Sequence, residues 1–295
     1  MKELGVKQFG GDWSDAKLDA LRRYIAAYSQ ALSKFSFERI YIDAFAGAGI
    51  ITPEPTNPEQ SLFEENLADE EAKYRHGSPL IALEADPGFH RFIFIERNAQ
   101  SIDQLREQVS SRFPEKMAKS SFHQGDANLQ LQTLTQQNWK AQRAVAFLDP
   151  FALQVSWKTI EMIAKTQAID MWLLFPAMAV NRMLPKSGVV PAQWAEKLTE
   201  TFGTQDWSNY FFSGEEDLFG EIIVSKQPKI FEELSNFITE RLKTVFADAN
   251  SKPLILKNST GAPLFLLCFA SGNPKGAPIA VRIANHIINL KSHGH

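Results

Sequence analysis

Cysteine is nearly absent: Cys268 is the single one in 295 residues. A lone thiol excludes an internal disulfide and a thiolate zinc cluster. Long apolar runs are missing too. The longest, Met171–Val180, is interrupted by Pro176 and falls short of the roughly 18 residues of a membrane-span candidate. The opening residues 1–13 lack the apolar core of a signal peptide, which predicts a soluble cytoplasmic protein. Neither charge dominates: 31 Lys and Arg face 34 Asp and Glu, a net charge of −3, so no overall basic field points to nucleic acid. The histidines form no i, i+4 pair around a glutamate, and neither Gly-x-Ser-x-Gly nor Gly-x-Gly-x-x-Gly occurs. No metal site, hydrolase elbow or dinucleotide fingerprint is therefore expected. What remains is the balance of a globular chain, 44% hydrophobic and 22% charged. Its length suits one large domain, or a domain with an insertion.

Leu18, Leu21, Ile25, Tyr28 and Leu32 recur at helical spacing, with Ser14 as the expected N-cap and Trp13 as a staple onto Leu18. Arg39–Ala44 is a β-rich run leading into the small-residue turn Phe45–Gly49. The polar, proline-bearing stretch 52–75 reads as a surface loop. Gly77-Ser78-Pro79 predicts a helix start capped by Ser78. Further strands are predicted at Arg91–Glu96, Ser121–Gly125, Ala144–Leu148 and Ile169–Phe175, with helices over Ser101–Phe113 and Trp157–Thr166. Strands alternating with helices predict an α/β fold, a Rossmann-like parallel sheet with helices on both faces.

From Pro176 to Pro253 the pattern changes to a mostly helical one. Trp194, Trp207, Tyr210, Phe211, Phe212 and Phe219 crowd there, and Ile230–Phe246 is strongly amphipathic. Those aromatics read as a helical core, with base stacking or partner docking as the alternative. Leu254–Lys257 and Leu264–Ala270 predict a hairpin, followed by a turn at Gly272–Gly276 and a helix Pro278–Leu290. The expected organisation is a cofactor-binding core over 1–175, a helical insertion for substrate or partner over 176–253, and a closing hairpin and helix over 254–295.

Four strand ends carry the candidate chemistry. Asp43-Ala44-Phe45-Ala46-Gly47-Ala48-Gly49 follows the first strand, and Gly47 and Gly49 would let backbone approach a ligand closely. Glu96 ends the second strand, placed to take two ribose hydroxyls; a solvated strand-end acid is the plain alternative. Gly125-Asp126-Ala127-Asn128 ends the third, where a side chain can accept from an adenine amino group or simply form a turn. Asp149-Pro150-Phe151 ends the fourth. A carboxylate and a fixed carbonyl there can accept N–H bonds from a planar amine and aim its lone pair, with Phe151 stacking on an aromatic base. A strand-ending proline turn with Phe151 in the core is the alternative.

In this order the four segments resemble a class I S-adenosylmethionine-dependent methyltransferase. That resemblance makes Asp43, Ala44, Phe45, Gly47 and Gly49 the methionine-binding loop, Glu96 the ribose acid, and Asp126 with Ala127 the adenine contact. Asp149, Pro150 and Phe151 become the catalytic motif of an amino-group methyltransferase. The motif lacks the second proline of Asp/Asn-Pro-Pro-Tyr/Phe and is similar to the Asp-Pro-Phe of tRNA guanine-N2 methyltransferases.

A further resemblance runs along nearly the whole chain. Phe9-Gly10-Gly11, Trp13-Ser14, Lys17-Leu18, Tyr41–Gly47, Gly77-Ser78-Pro79, Leu148–Phe151 and Phe269–Gly276 are similar to the three-Cys-motif partner (TcmP) family. It implies a bacterial protein with a methyltransferase-like fold, working beside a three-cysteine protein of iron–sulfur or radical type.

The expected activity is methyl transfer from S-adenosylmethionine to a planar amine, with a nucleobase of DNA or RNA as the candidate acceptor. The alternatives are a non-catalytic scaffold or recognition subunit for the three-cysteine protein, and a small-molecule or protein methyltransferase. Lesser candidates are Lys275 in Asn273-Pro274-Lys275-Gly276, as a substrate-facing phosphate contact, and Lys165, Arg182 and Lys186, as a basic rim beside Asp149. Cys268 reads as a buried, inert thiol.

Overall fold

The computed structural model describes residues 12–49, 77–216 and 222–292. Phe9-Gly10-Gly11, the 52–75 loop, His76, Phe219, His293 and His295 lie outside the described residues.

In chain order the elements are α1 (Asp12–Leu32), β1 (Glu38–Asp43), α2 (Ser78–Glu84), β2 (Arg91–Glu96), α3 (Ala99–Arg112), α4 (Pro114–Met117), β3 (Ser120–Gln124), α5 (Ala127–Thr135), β4 (Gln142–Leu148), α6 (Trp157–Lys165) and β5 (Ile169–Phe175). Then come α7 (Ala177–Met183), α8 (Ala192–Phe202), α9 (Trp207–Phe211), β6 (Phe212–Glu216), β7 (Ile222–Lys226) and α10 (Ile230–Lys243). The chain closes through β8 (Asp248–Ala249), β9 (Leu254–Lys257), β10 (Pro263–Ser271) and α11 (Ala277–Ser292).

The main sheet has the order β3-β2-β1-β4-β5-β10-β8, with β9 on the free side of β10. The first five strands are parallel, and β10 runs antiparallel to β5, with Cys268 opposite Leu173. The fold is thus mixed α/β around a mostly parallel sheet, as the strand–helix alternation predicts. The β9–β10 hairpin forms as expected.

Parallel strands covered on both faces read as continuous apolar runs, and β4 shows why. Ala144, Ala146 and Leu148 enter one core with Leu131, Ile160, Ile163 and Leu173. Val145 and Phe147, pointing the other way, join Leu21, Tyr24 and Ile25 of α1 and Ile287 of α11. The 176–253 segment packs on the first face: Leu198, Phe202, Trp207, Phe211, Phe237 and Leu242 belong to the same cluster as Ile40 and Ile42. Its helices are joined by a two-stranded antiparallel sheet, β6–β7, separate from the main one. Trp207 and Phe211 are buried, whereas Trp194 and Tyr210 are exposed.

Two expected caps are corrected. α1 begins at Asp12, so Ser14 lies within its first turn. Gly77, at φ 109°, caps α2, and the buried Ser78 is the first helical residue. Its hydroxyl faces Asp43 instead of a helix N–H.

Gly203 ends α8 in the left-handed region, φ 67°. A Cβ there would meet Cδ1 of the buried Trp157 at 2.0 Å. Arg241 closes the same corner, stacking over the Trp157 ring and donating from Nε to the Phe202 carbonyl. Left-handed strain and overpacking therefore add, and Gly203→Ala should cost about 2–4 kcal/mol in urea unfolding. A loss under about 0.5 kcal/mol would show that this corner gives way freely.

Candidate functional site

β1 lies between β2 and β4, so chain order reverses across the β1–β4 pair. At such a switch point the connections leave in opposite directions, and a crevice opens outside the carboxyl strand ends. The loop after β1 first prolongs the ladder: Ala44 N–H donates to Phe147 O, and Ala46 N–H to Ile95 O. It then turns sharply at Gly47 and Gly49, with φ 62° and 71°. A Cβ on Gly49 would sit 3.0 Å from the Leu105 Cδ1 of α3, a tight contact, and the left-handed φ favours glycine there.

Glu96 clasps this turn. One carboxylate oxygen accepts the Gly47 N–H at 2.9 Å, the other the Asn98 N–H at 2.9 Å. It is 7% exposed, so the solvated-acid alternative is set aside. Each oxygen keeps a second lone pair that can take a hydroxyl. Asp126 caps α5, its Oδ1 accepting the Leu129 N–H at 3.1 Å, and Oδ2 takes no part in that bond. Asn128 ties the β3 end to the β4 end: Nδ2 donates to Gln154 O, and Oδ1 accepts from Ser156 N–H and the Thr159 hydroxyl.

Together these strand ends enclose a cavity of about 570 Å³ lined by Ala44, Phe45, Glu96, Asp126, Ala127 and Asn128, with Ala152–Gln154 beyond β4. The 176–253 segment supplies a further wall through Ala179 and Met183 of α7 and Lys197 and Glu200 of α8. Gly47 and Gly49 shape the loop without lining the cavity. That volume suits a small-molecule site.

Asp149, Pro150 and Phe151 follow β4 and are not among the lining residues. Asp149 is 8% exposed and bonded to Lys17 Nζ at 2.6 Å through Oδ2. Lys17 is 2% exposed. By residue type Lys17 goes with its neighbours Arg22 and Arg23 as a solvated basic face. The missed signal was phase: Lys17, Leu21, Tyr24 and Tyr28 lie on one stripe of α1, and the other three are core residues. Phe151 N–H donates to the Gln154 side chain, which pins the turn.

Asp43 stands one strand away, fully buried. Its Oδ2 accepts the Tyr41 hydroxyl at 3.1 Å, and among the described residues Oδ1 has no partner at full hydrogen-bond geometry, the Ser78 hydroxyl and Phe45 N–H being its polar neighbours. Burial pushes its carboxyl up to about 7 and the Asp149 charge adds to this, against the Ser78 and Tyr41 hydroxyls and the Phe45 N–H.

Two lesser candidates move to the other edge of the sheet. β10 is antiparallel, so the Asn273–Gly276 loop emerges at the amino ends of the parallel strands, away from Asp149. Lys165 ends α6 immediately before β5 and lies at that same edge, so it does not rim a cleft beside Asp149. Cys268 is buried in β10, where burial pushes its thiol well up. Among the described residues no three His, Cys, Asp or Glu gather as metal ligands, and no helix is long and apolar enough to cross a membrane.

No protein-family model matches the chain, and no curated protein matches it. The three-Cys-motif resemblance therefore rests on its motifs alone. Solved structures are similar at low identity. Protein LPL1258 from Legionella pneumophila aligns over 96% of this chain and 93% of its own, at 13% identity and TM-score 0.48. Trm1 from Pyrococcus horikoshii, solved with S-adenosyl-L-methionine, aligns over 92% of this chain at 10% identity and TM-score 0.48. This chain spans 58% of that protein's length. Spermidine synthase from Thermotoga maritima aligns over 89% of this chain and 60% of its own, at 7% identity and TM-score 0.38. Activity does not carry over at such identities.

Two predictions concern the buried charges. Removing one partner of a buried ion pair strands the other, at about 3–5 kcal/mol. Lys17→Met should destabilise by that amount, and adding Asp149→Leu should restore most of it in a double-mutant cycle. Independent, additive losses would mean the pair is not coupled. Asp43 keeps a proton in the folded state that the unfolded chain releases near its ordinary value of 3.8. Its contribution to stability is therefore present below about pH 4 and lost as pH rises to about 7. Asp170, pushed up to about 6 chiefly by burial, adds the same sign over a narrower window. Asp43→Asn should shrink the loss of unfolding free energy between pH 5 and pH 8; an unchanged loss would contradict the assignment.

Proposed function

We propose that the chain is an S-adenosylmethionine-dependent methyltransferase that acts on a planar amine, a nucleobase of DNA or RNA, and works beside a three-Cys-motif protein. The observation that carries the cofactor reading is the cavity at the β1, β2 and β3 ends, where Ala44, Phe45, Glu96, Asp126 and Ala127 converge. The residues fit that cofactor. Glu96 has lone pairs for two vicinal hydroxyls, and Asp126 can accept an adenine N–H. Bound there, the sulfonium would supply the methyl group.

The chain's own part is positioning. Lys17 fixes Asp149 through Oδ2 and leaves Oδ1 to accept an amine N–H, with the Pro150 carbonyl as the second acceptor. The Asn128 bonds to Gln154, Ser156 and Thr159 hold this turn against the sheet. The recognition-subunit reading is favoured by one observation: Asp149 is already paired and stands outside the cavity lining.

Calorimetric titration with S-adenosylmethionine tests the cofactor step. Wild type should bind, and Glu96→Ala should bind at least about tenfold more weakly, because a doubly used buried carboxylate is removed. No heat with wild type would sink the proposal. Incubation with methyl-labelled cofactor and DNA, RNA or the three-cysteine protein then separates the acceptors. Binding without transfer to any of them supports the recognition subunit.

A further inference from the structure

A second cavity, of about 450 Å³, opens at the amino ends of the parallel strands, between the carboxyl half of α1 and the start of α11. Its wall is mainly carbon: Tyr28, Leu32, Phe35, Phe37, Ile279 and Ile283. Phe35 and Ile279 are 58% and 52% exposed, large apolar surface left in water. A shallower depression adjoins it, and the two share Arg143 and Ala168.

The charges around this pair are one-sided. Lys140, Arg143, Lys165 and Lys275 line them, and none forms an ion pair among the described residues. Arg143 Nη1 bonds only carbonyl oxygens, of Trp139 and Gln142, and the guanidinium stacks on Phe37 at 4.0 Å. Among the described residues the one acid lining either depression is Asp170, and both of its oxygens are taken by the Tyr24 and Ser271 hydroxyls. Four cations against one occupied acid, in a chain whose net charge is −3, is a local excess. In addition, the Tyr28 hydroxyl, on the cavity wall, is buried without a partner among the described residues.

We propose that this cavity binds a small amphiphile, an apolar body carrying one anionic head, carboxylate or phosphate. The body fills the carbon-lined chamber, and the head lies toward Arg143 and the lysines at its mouth. The concave, small-molecule-sized volume favours a single free molecule over a bilayer surface, which would meet only the rim. The site lies across the sheet from the cofactor cavity, and its existence does not depend on the methyltransferase reading.

The test is calorimetric titration of the full chain with sodium decanoate below its micellar concentration. One decanoate should bind per chain, and decyltrimethylammonium should bind at least about tenfold more weakly. Ala280→Phe, which fills the chamber, should abolish decanoate binding. Lys275→Glu, at an exposed position that places no load on folding, should weaken it about fivefold or more. Neither change should alter S-adenosylmethionine titration. Three results would each overturn the proposal: no decanoate binding by wild type, equal affinity for the cationic amphiphile, or an unchanged decanoate affinity in Lys275→Glu. Binding to phosphatidylglycerol vesicles without binding of free decanoate would also overturn it and assign the face to a membrane surface.

Discussion

Burial of the parallel strands on both faces is the constraint from which the rest follows. Every residue of β5 is buried, as are the last five of β1, β2 and β4. A strand with no wet side has no room for an unpaired charge along its length. The carboxylates accordingly collect at strand ends: Asp43, Glu96 and Asp149 at the carboxyl edge, Asp170 near the amino edge. Polarity at those ends is what makes a layered hydrocarbon sandwich able to hold a polar ligand.

Each end carboxylate is satisfied differently, and the differences sort their roles. Glu96 accepts two backbone N–H groups and so shapes the loop it touches. Asp149 takes a full ammonium from α1, and Asp170 takes two hydroxyls. Asp43 is sealed in the core beside the Tyr41 hydroxyl, and burial pushes its carboxyl up to about 7.

The sheet was legible because its signals are local. Apolar runs such as Arg91–Glu96 and Ile169–Phe175, separated by helical periodicity, need no distant partner to be read. The acids at strand ends were legible for the same reason. Lys17 was not, because its partner lies 132 residues away and a lysine is by default a solvated residue. The sides of the sheet on which Lys165 and Asn273–Gly276 fall were equally hidden. Strand direction is set by pairing, and the antiparallel placement of β10 beside β5 leaves no mark in either segment. Ser14 and Ser78 show the limit of cap rules: the hydroxyl type was right for a helix start, but the helix register or a buried acid claimed the position.

Helix α1 touches both edges of the sheet with one rigid body. Lys17 reaches Asp149 at the carboxyl edge, while Tyr24 and Tyr28, two and three turns on, line the amino-edge chamber. A 21-residue helix is about 30 Å long and does not compress. The ammonium that fixes Asp149 and the tyrosines that wall the far chamber are therefore carried on one rod, and the distance between them is set by the helix itself.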